Sequence, residues 1–240
     1  MNISRTARRS IGKELLFFAQ RTAALLLDKS RWRHLGKTLR YSLYVAIHPI
    51  DGFWDLVHEK RGSMGAAHVI VAATVLVEIM RITLTSFQFV TVNMEQFNAA
   101  IVVMRVVIPL LLWTVANWGL TTLMDGKGKM SHVYMGVSYA MVPYALINAA
   151  MIILSRFITY EEGAVYWILA GLAVLWMAVL IFAGMMMIHD YTPLKTLFSS
   201  FLTLVGMGIM VFVFVVFFSL VSDAVAYLVS VYREVLFRLL

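Results

Sequence analysis

Five separate stretches of this sequence are long and apolar enough to cross a lipid bilayer, and this constrains the chain more than any motif it carries. A spanning helix needs about 20 mostly apolar residues, rising 1.5 Å each, to cover a hydrocarbon core of roughly 30 Å. The qualifying segments run approximately over residues 65–87, 99–124, 133–155, 164–188 and 198–222. Inside lipid a backbone N–H or C=O has no water to bond, so an isolated apolar stretch must satisfy itself as a helix. The expectation is an all-α fold, a polytopic membrane helix bundle with five transmembrane helices. Composition agrees, with 61% hydrophobic and 14% charged residues and a mean hydropathy of +0.83, whereas soluble domains run at roughly 45–50% apolar and ~25% charged.

Charge placement sets the orientation. Of 20 Lys and Arg, 12 fall in residues 1–61, and Lys127, Lys129 and Lys195 lie in loops on that same side of a five-span topology. The other side carries Arg156, Arg233 and Arg238, while Arg81 and Arg105 sit inside predicted spans. The positive-inside tendency therefore puts the amino terminus, the Gly/Lys turn at Asp125–Lys129 and the His189 loop in the cytoplasm, with the carboxyl terminus external. The net charge of +7 belongs to one end of the chain, so its expected partners are anionic lipid headgroups and not nucleic acid. With no cysteine, disulfides and thiolate metal sites are excluded.

Residues 1–47 form a basic cytoplasmic segment in which Ile11, Leu15, Phe18, Thr22 and Leu25, then Leu39, Leu43, Ala46 and Ile47, recur at helical spacing between Lys and Arg. Such amphipathic helices either lie on the inner leaflet or pack on the cytoplasmic ends of the spans. Trp54 with Lys60 and Arg61 is placed to anchor the membrane interface ahead of the first span. Residues 48–222 constitute the five-span domain. Residues 223–240, with Asp223, Arg233, Glu234 and Arg238, are too charged for a sixth span and read as an external interfacial helix.

Ionisable groups within a bilayer demand an explanation. Glu78 and Arg81 stand three apart on the first span and can share a face, with Arg105 near the external start of the antiparallel second span. This intramembrane charge cluster is expected to neutralise itself, its arginines snorkelling toward headgroups, since no other acidic residue falls within a span to continue a relay. Asn117, Trp118, Asp125, Gly126, Lys127, Gly128, Tyr139, Pro143 and Tyr144 compose a hairpin between the second and third spans, whose small and polar residues suit close helix pairing. His189, Asp190 and Tyr191 are expected to cap or tether the short loop ahead of Pro193. The six histidines show no ligand spacing of the His-Glu-x-x-His kind, and Met185–Met187 point in three helical directions, so no metal or other cofactor is expected. No Gly-x-Ser-x-Gly elbow occurs, and the glycines and lysines of Asp125–Lys129 do not make the phosphate-loop frame, so no enzyme is expected.

Asn117-Trp118, Asp125-Gly-Lys-Gly128, Tyr139-Ala-Met-Val-Pro-Tyr144 and His189-Asp190-Tyr191, with His48-Pro49-Ile-Asp-Gly-Phe53 ahead of the first span, resemble the bacterial branch of the Yip-type family, named for eukaryotic proteins that interact with Rab/Ypt GTPases. The resemblance covers about residues 47–222. It implies a five-span domain with a cytoplasmic amino terminus, working through protein partners, and it supplies no catalytic residue. The amino-terminal segment lacks a match to the trafficking members' motif, so a trafficking role is not implied. Bacterial relatives are often encoded near carbohydrate ABC-transporter components, which implies an accessory role beside a permease. The expectation is a non-enzymatic accessory or scaffold protein of the bacterial cytoplasmic membrane. The alternative is a small channel or transporter for lipid or a small solute, using Glu78, Arg81 and Arg105.

Overall fold

The computed structural model describes residues 29–90 and 97–239, and among them every regular element is a helix. The chain runs α1 (Lys29–Ile47), α2 (Pro49–His58), α3 (Met64–Leu84), α4 (Ala99–Leu123), α5 (Met130–Leu154), α6 (Gly163–His189) and α7 (Pro193–Leu239). Five of these, α3 to α7, are long and apolar enough to cross a membrane. The proposed periodicity at Ile11–Leu25 lies outside the described residues.

The first span ends at Leu84, three residues before its expected limit, and the reason is local. Arg156, from the loop after α5, donates from Nη2 at 2.6 Å and Nε at 3.1 Å to the Leu84 carbonyl. A cation on the last carbonyls of a helix satisfies acceptors that have no partner within the helix and complements its dipole. The Ser86 amide donates to Ser155 Oγ at 3.1 Å, fixing the same corner.

α5 is the axis of the bundle. It packs against α1, α3, α4 and α6, and Met135 to Pro143 form an unbroken buried run. α7 instead lies along α4, using the small buried stripe Thr196, Ser199 and Thr203 for close approach. Lys195 reaches Met124 and Thr203 reaches Asn117, so the helices are antiparallel and Ala99 of α4 is level with about Ser222 of α7. Residues 223–239, expected as a separate interfacial helix, continue α7 without a break. No Gly or Pro interrupts Leu220–Leu240; at 1.5 Å per residue this extension projects about 25 Å beyond the start of α4.

Residues 29–58 do not lie flat on a surface. α1 and α2 fold into a hairpin whose corner, at Ile47–Pro49, reaches midway along α5 and α6. The Trp176 indole donates to the Ala46 carbonyl at 3.1 Å, and Ala46 and Ile47 share a groove of about 710 Å³ with Pro143, Leu146, Leu172 and Trp176. Pro49 occupies the first turn of α2, where its missing N–H costs nothing. Gly52 lets the two helices touch, since a Cβ there would meet Val45 Cα at 2.8 Å. Phe53 is fully buried and packs on Gly184 of α6. The Tyr41 hydroxyl donates to the Gly52 carbonyl at 2.6 Å; burial, and then Asp55, push this phenol's pKa up, which holds it protonated as the donor.

This packing separates two glycine substitutions. Gly52→Ala must move backbone and is expected to destabilise by about 1–3 kcal/mol. Gly36→Ala, with nothing within 4 Å of its Cβ, is expected to be neutral or to stabilise by up to ~1 kcal/mol through helix propensity. Thermal unfolding of the two purified variants in the same detergent checks the contrast.

Candidate functional site

Two polar clusters sit at opposite ends of the bundle. The first gathers at the basic end, where α4 turns into α5 and α6 turns into α7. Asp125 and Asp190 both take the left-handed conformation, at φ 59° and 54°, which Asp tolerates better than most residues. Asp190 caps the carboxyl end of α6, and the next amide, Tyr191 N–H, bonds back to the Met186 carbonyl at 3.0 Å.

His189 is buried between these turns. The Gly128 amide can only donate, so His189 Nδ1 accepts from it at 3.3 Å, and the ring proton resides on Nε2. Nε2–H then donates to Asn117 Oδ1 at 3.0 Å. The Asn117 amide donates to Thr203 Oγ1 at 3.1 Å, and the Thr203 hydroxyl donates to the Ser199 carbonyl at 2.7 Å. One unbranched chain of hydrogen bonds thus ties the α4–α5 turn, the end of α6, the last third of α4 and the first turns of α7. Gly128 is required by closeness, because a Cβ would lie 2.7 Å from His189 Cε1 and 2.6 Å from Ile188 Cγ2.

Around this core the carbonyl of Met124, which caps α4, receives the Tyr191 hydroxyl at 2.9 Å and Lys195 Nζ at 2.8 Å. Lys195 also lies 4.2 Å from the Tyr191 ring centre, within cation–π reach. Burial, followed by Asp125, raises the Tyr191 pKa and keeps it a donor. Lys127 and Asp190 close the rim at 2.9 Å, but Lys127 is 75% exposed, so this pair contributes little. Both imidazole nitrogens and both ends of the Asn117 amide are occupied; the cluster is built to join helices.

The second cluster sits toward the opposite end. Glu78 is 5% exposed. Its Oε2 accepts from Arg81 Nη2 at 2.9 Å and Nε at 3.3 Å, and its Oε1 accepts from the Tyr144 hydroxyl at 2.6 Å. Arg105 faces the same cleft, a cavity of about 220 Å³ also lined by Pro109 and Met177, and makes no ion pair with Glu78.

The expected α4–α5 hairpin is therefore redistributed. Asn117 turns to α6 and α7, and Tyr144 turns to α3. Tyr139 is fully buried and its hydroxyl accepts from the Ser63 amide at 3.2 Å, at the start of α3. Pro143 faces the groove at the α1–α2 corner, and Trp118 is 40% exposed on the bundle surface. The sequence marks Lys195 only as a loop cation that sets orientation and does not mark Ser63 or Thr203; the small-residue spacing of Thr196, Ser199 and Thr203 is the available signal for the last.

Removing the central amide should be costly. Asn117→Leu leaves the buried imidazole N–H of His189 without its acceptor and removes the donor to Thr203 Oγ1, and is expected to destabilise by about 2–4 kcal/mol. A double-mutant cycle with His189→Phe should return a coupling of about 1–2 kcal/mol in detergent unfolding, whereas Asn117 paired with Tyr144→Phe should be additive.

Neither the curated proteins nor the solved structures compared with the chain match it. A family model described as the Yip1 domain matches residues 43–226.

Proposed function

The chain belongs to the Yip1 domain family, and from that premise we propose that it is a non-enzymatic accessory protein that docks a second membrane protein along its α1–α2 hairpin. The observation that carries this reading is the position of Asp51. It is exposed, on the first turn of α2, and only a few residues from a corner that lies midway along α5 and α6. A carboxylate at the centre of a bilayer costs roughly 2.5–3.5 kcal/mol on insertion scales, and an Asp side chain is too short to reach the interface. Exposed His48, stacked on Tyr44 at 4.6 Å, adds a second polar group at the same depth. A partner helix that seats in the apolar groove beside Ile47 and Leu146 and presents a donor to Asp51 removes both the exposed apolar surface and the unpaired charge.

The charge distribution supports entry of this hairpin from the cytoplasmic side, and a bacterial cytoplasmic membrane is supported by the family resemblance alone. A carbohydrate ABC permease as the partner is supported by the family resemblance alone. A transport reading has one observation in its favour, the charged cleft at Glu78, Arg81 and Arg105.

A photo-crosslinking residue at Ile47 or Leu146 should capture a discrete membrane protein in cells. Asp51→Leu should reduce that capture several-fold while leaving bundle stability unchanged or raised. Capture of lipid alone from both positions, together with an Asp51→Leu variant whose copurifying proteins are unchanged, would sink the proposal.

A further inference from the structure

We propose that the cleft between α3, α4 and α5 is a binding site for a phosphodiester, with Arg105 as its main ligand and Arg81 as its second cation. The inference stands apart from the partner reading above, which concerns the separate groove beside α1 and α2. Its basis is a local charge count that does not close. Both oxygens of Glu78 are taken, one by Arg81 and the other by Tyr144. Arg81 is thereby neutralised, and Arg105 has no hydrogen-bond or ion-pair partner among the described residues, although it lines the same cavity of about 220 Å³. Two cations and one anion leave a single positive charge facing that space.

Depth makes this surplus significant. Arg81 lies three residues before the end of α3 and Arg105 six residues after the start of α4, or roughly 5 and 9 Å inside the spans at 1.5 Å per residue. Arg105 is exposed at this depth, so its guanidinium, reaching toward the headgroup region, is open to an anion entering from there. The planar fork of Arg matches the paired oxygens of a phosphate. One surplus charge suits the monoanion of a diester better than the dianion of a monoester, and the fixed carboxylate of Glu78 on the far wall keeps the anion at the Arg105 side. Met177 and Val106 offer apolar wall for the carbon groups of an ester.

A proline also sits in the wall at this level. Pro109 lies four residues after Arg105, so the Arg105 carbonyl lacks the helical amide it would have bonded and is left as an acceptor beside the cleft.

The diester can come from a phospholipid headgroup or from a soluble phosphodiester, and two arms of one experiment separate them. The full-length protein is purified in mild detergent; retained phospholipid is counted by native mass spectrometry, and melting is followed with added phosphatidylglycerol or with dimethyl phosphate. For a lipid source, the unaltered protein should retain phospholipid, R105Q should lose about tenfold in occupancy, and R233Q, altered on exposed α7, should behave as the unaltered protein. For a soluble source, dimethyl phosphate should raise the melting temperature of the unaltered protein and not of R105Q. Should R105Q not yield folded protein, R105K keeps the charge without the fork and should still lose occupancy several-fold. Equal retention and equal response to both probes in R105Q, R105K and R233Q would overturn the proposal.

Discussion

The bundle depends on one neutral imidazole. His189 accepts on one nitrogen and donates from the other, and only the uncharged ring can do both. Because its donor is a backbone amide from the α4–α5 turn and its acceptor is a side chain of α4, two connections distant in sequence are held in a single register. Asn117 passes that register to α7 through Thr203. In a bilayer such bonds carry more architectural weight than apolar contact, since lipid tails are as apolar as the side chains they would replace. Packing alone leaves helices free to slide and rotate; a chain of directional bonds does not.

The two ends of the molecule treat polarity differently. At the basic end the donors and acceptors of His189, Asn117, Thr203 and Met124 are matched to one another, and glycine at position 128 brings the backbone close enough for the match. Toward the far end, Glu78 is likewise satisfied, yet Arg105 is left facing a cavity. A closed network specifies structure, and an open one leaves chemistry for something else to complete.

Much of this was legible in the sequence, for reasons that differ by element. The five spans could be read because lipid forces apolar stretches into helices and fixes their length. The Glu78–Arg81 pair followed from a three-residue spacing on one helix face. The partners of Asn117, by contrast, lie 72 and 86 residues away, and no local pattern selects α6 and α7 over the neighbouring α5. The hairpin of α1 and α2 reads as amphipathic, but its insertion depends on Gly52 meeting Val45 and Phe53 meeting Gly184, which are matters of tertiary fit. The continuation of α7 past Ser222 was hidden because Asp223 looks like an interface signal, whereas helix formation there is opposed by neither Gly nor Pro.

The half-inserted hairpin also gives the molecule a shape. Among the described residues, a section through its basic half cuts seven helices, and a section through the other half cuts α3 to α7. The body therefore tapers along the membrane normal, occupying more area in one leaflet than in the other. The corner at His48–Pro49, which locally does no more than turn a chain around, thereby sets the level at which the cross-section of the described bundle changes.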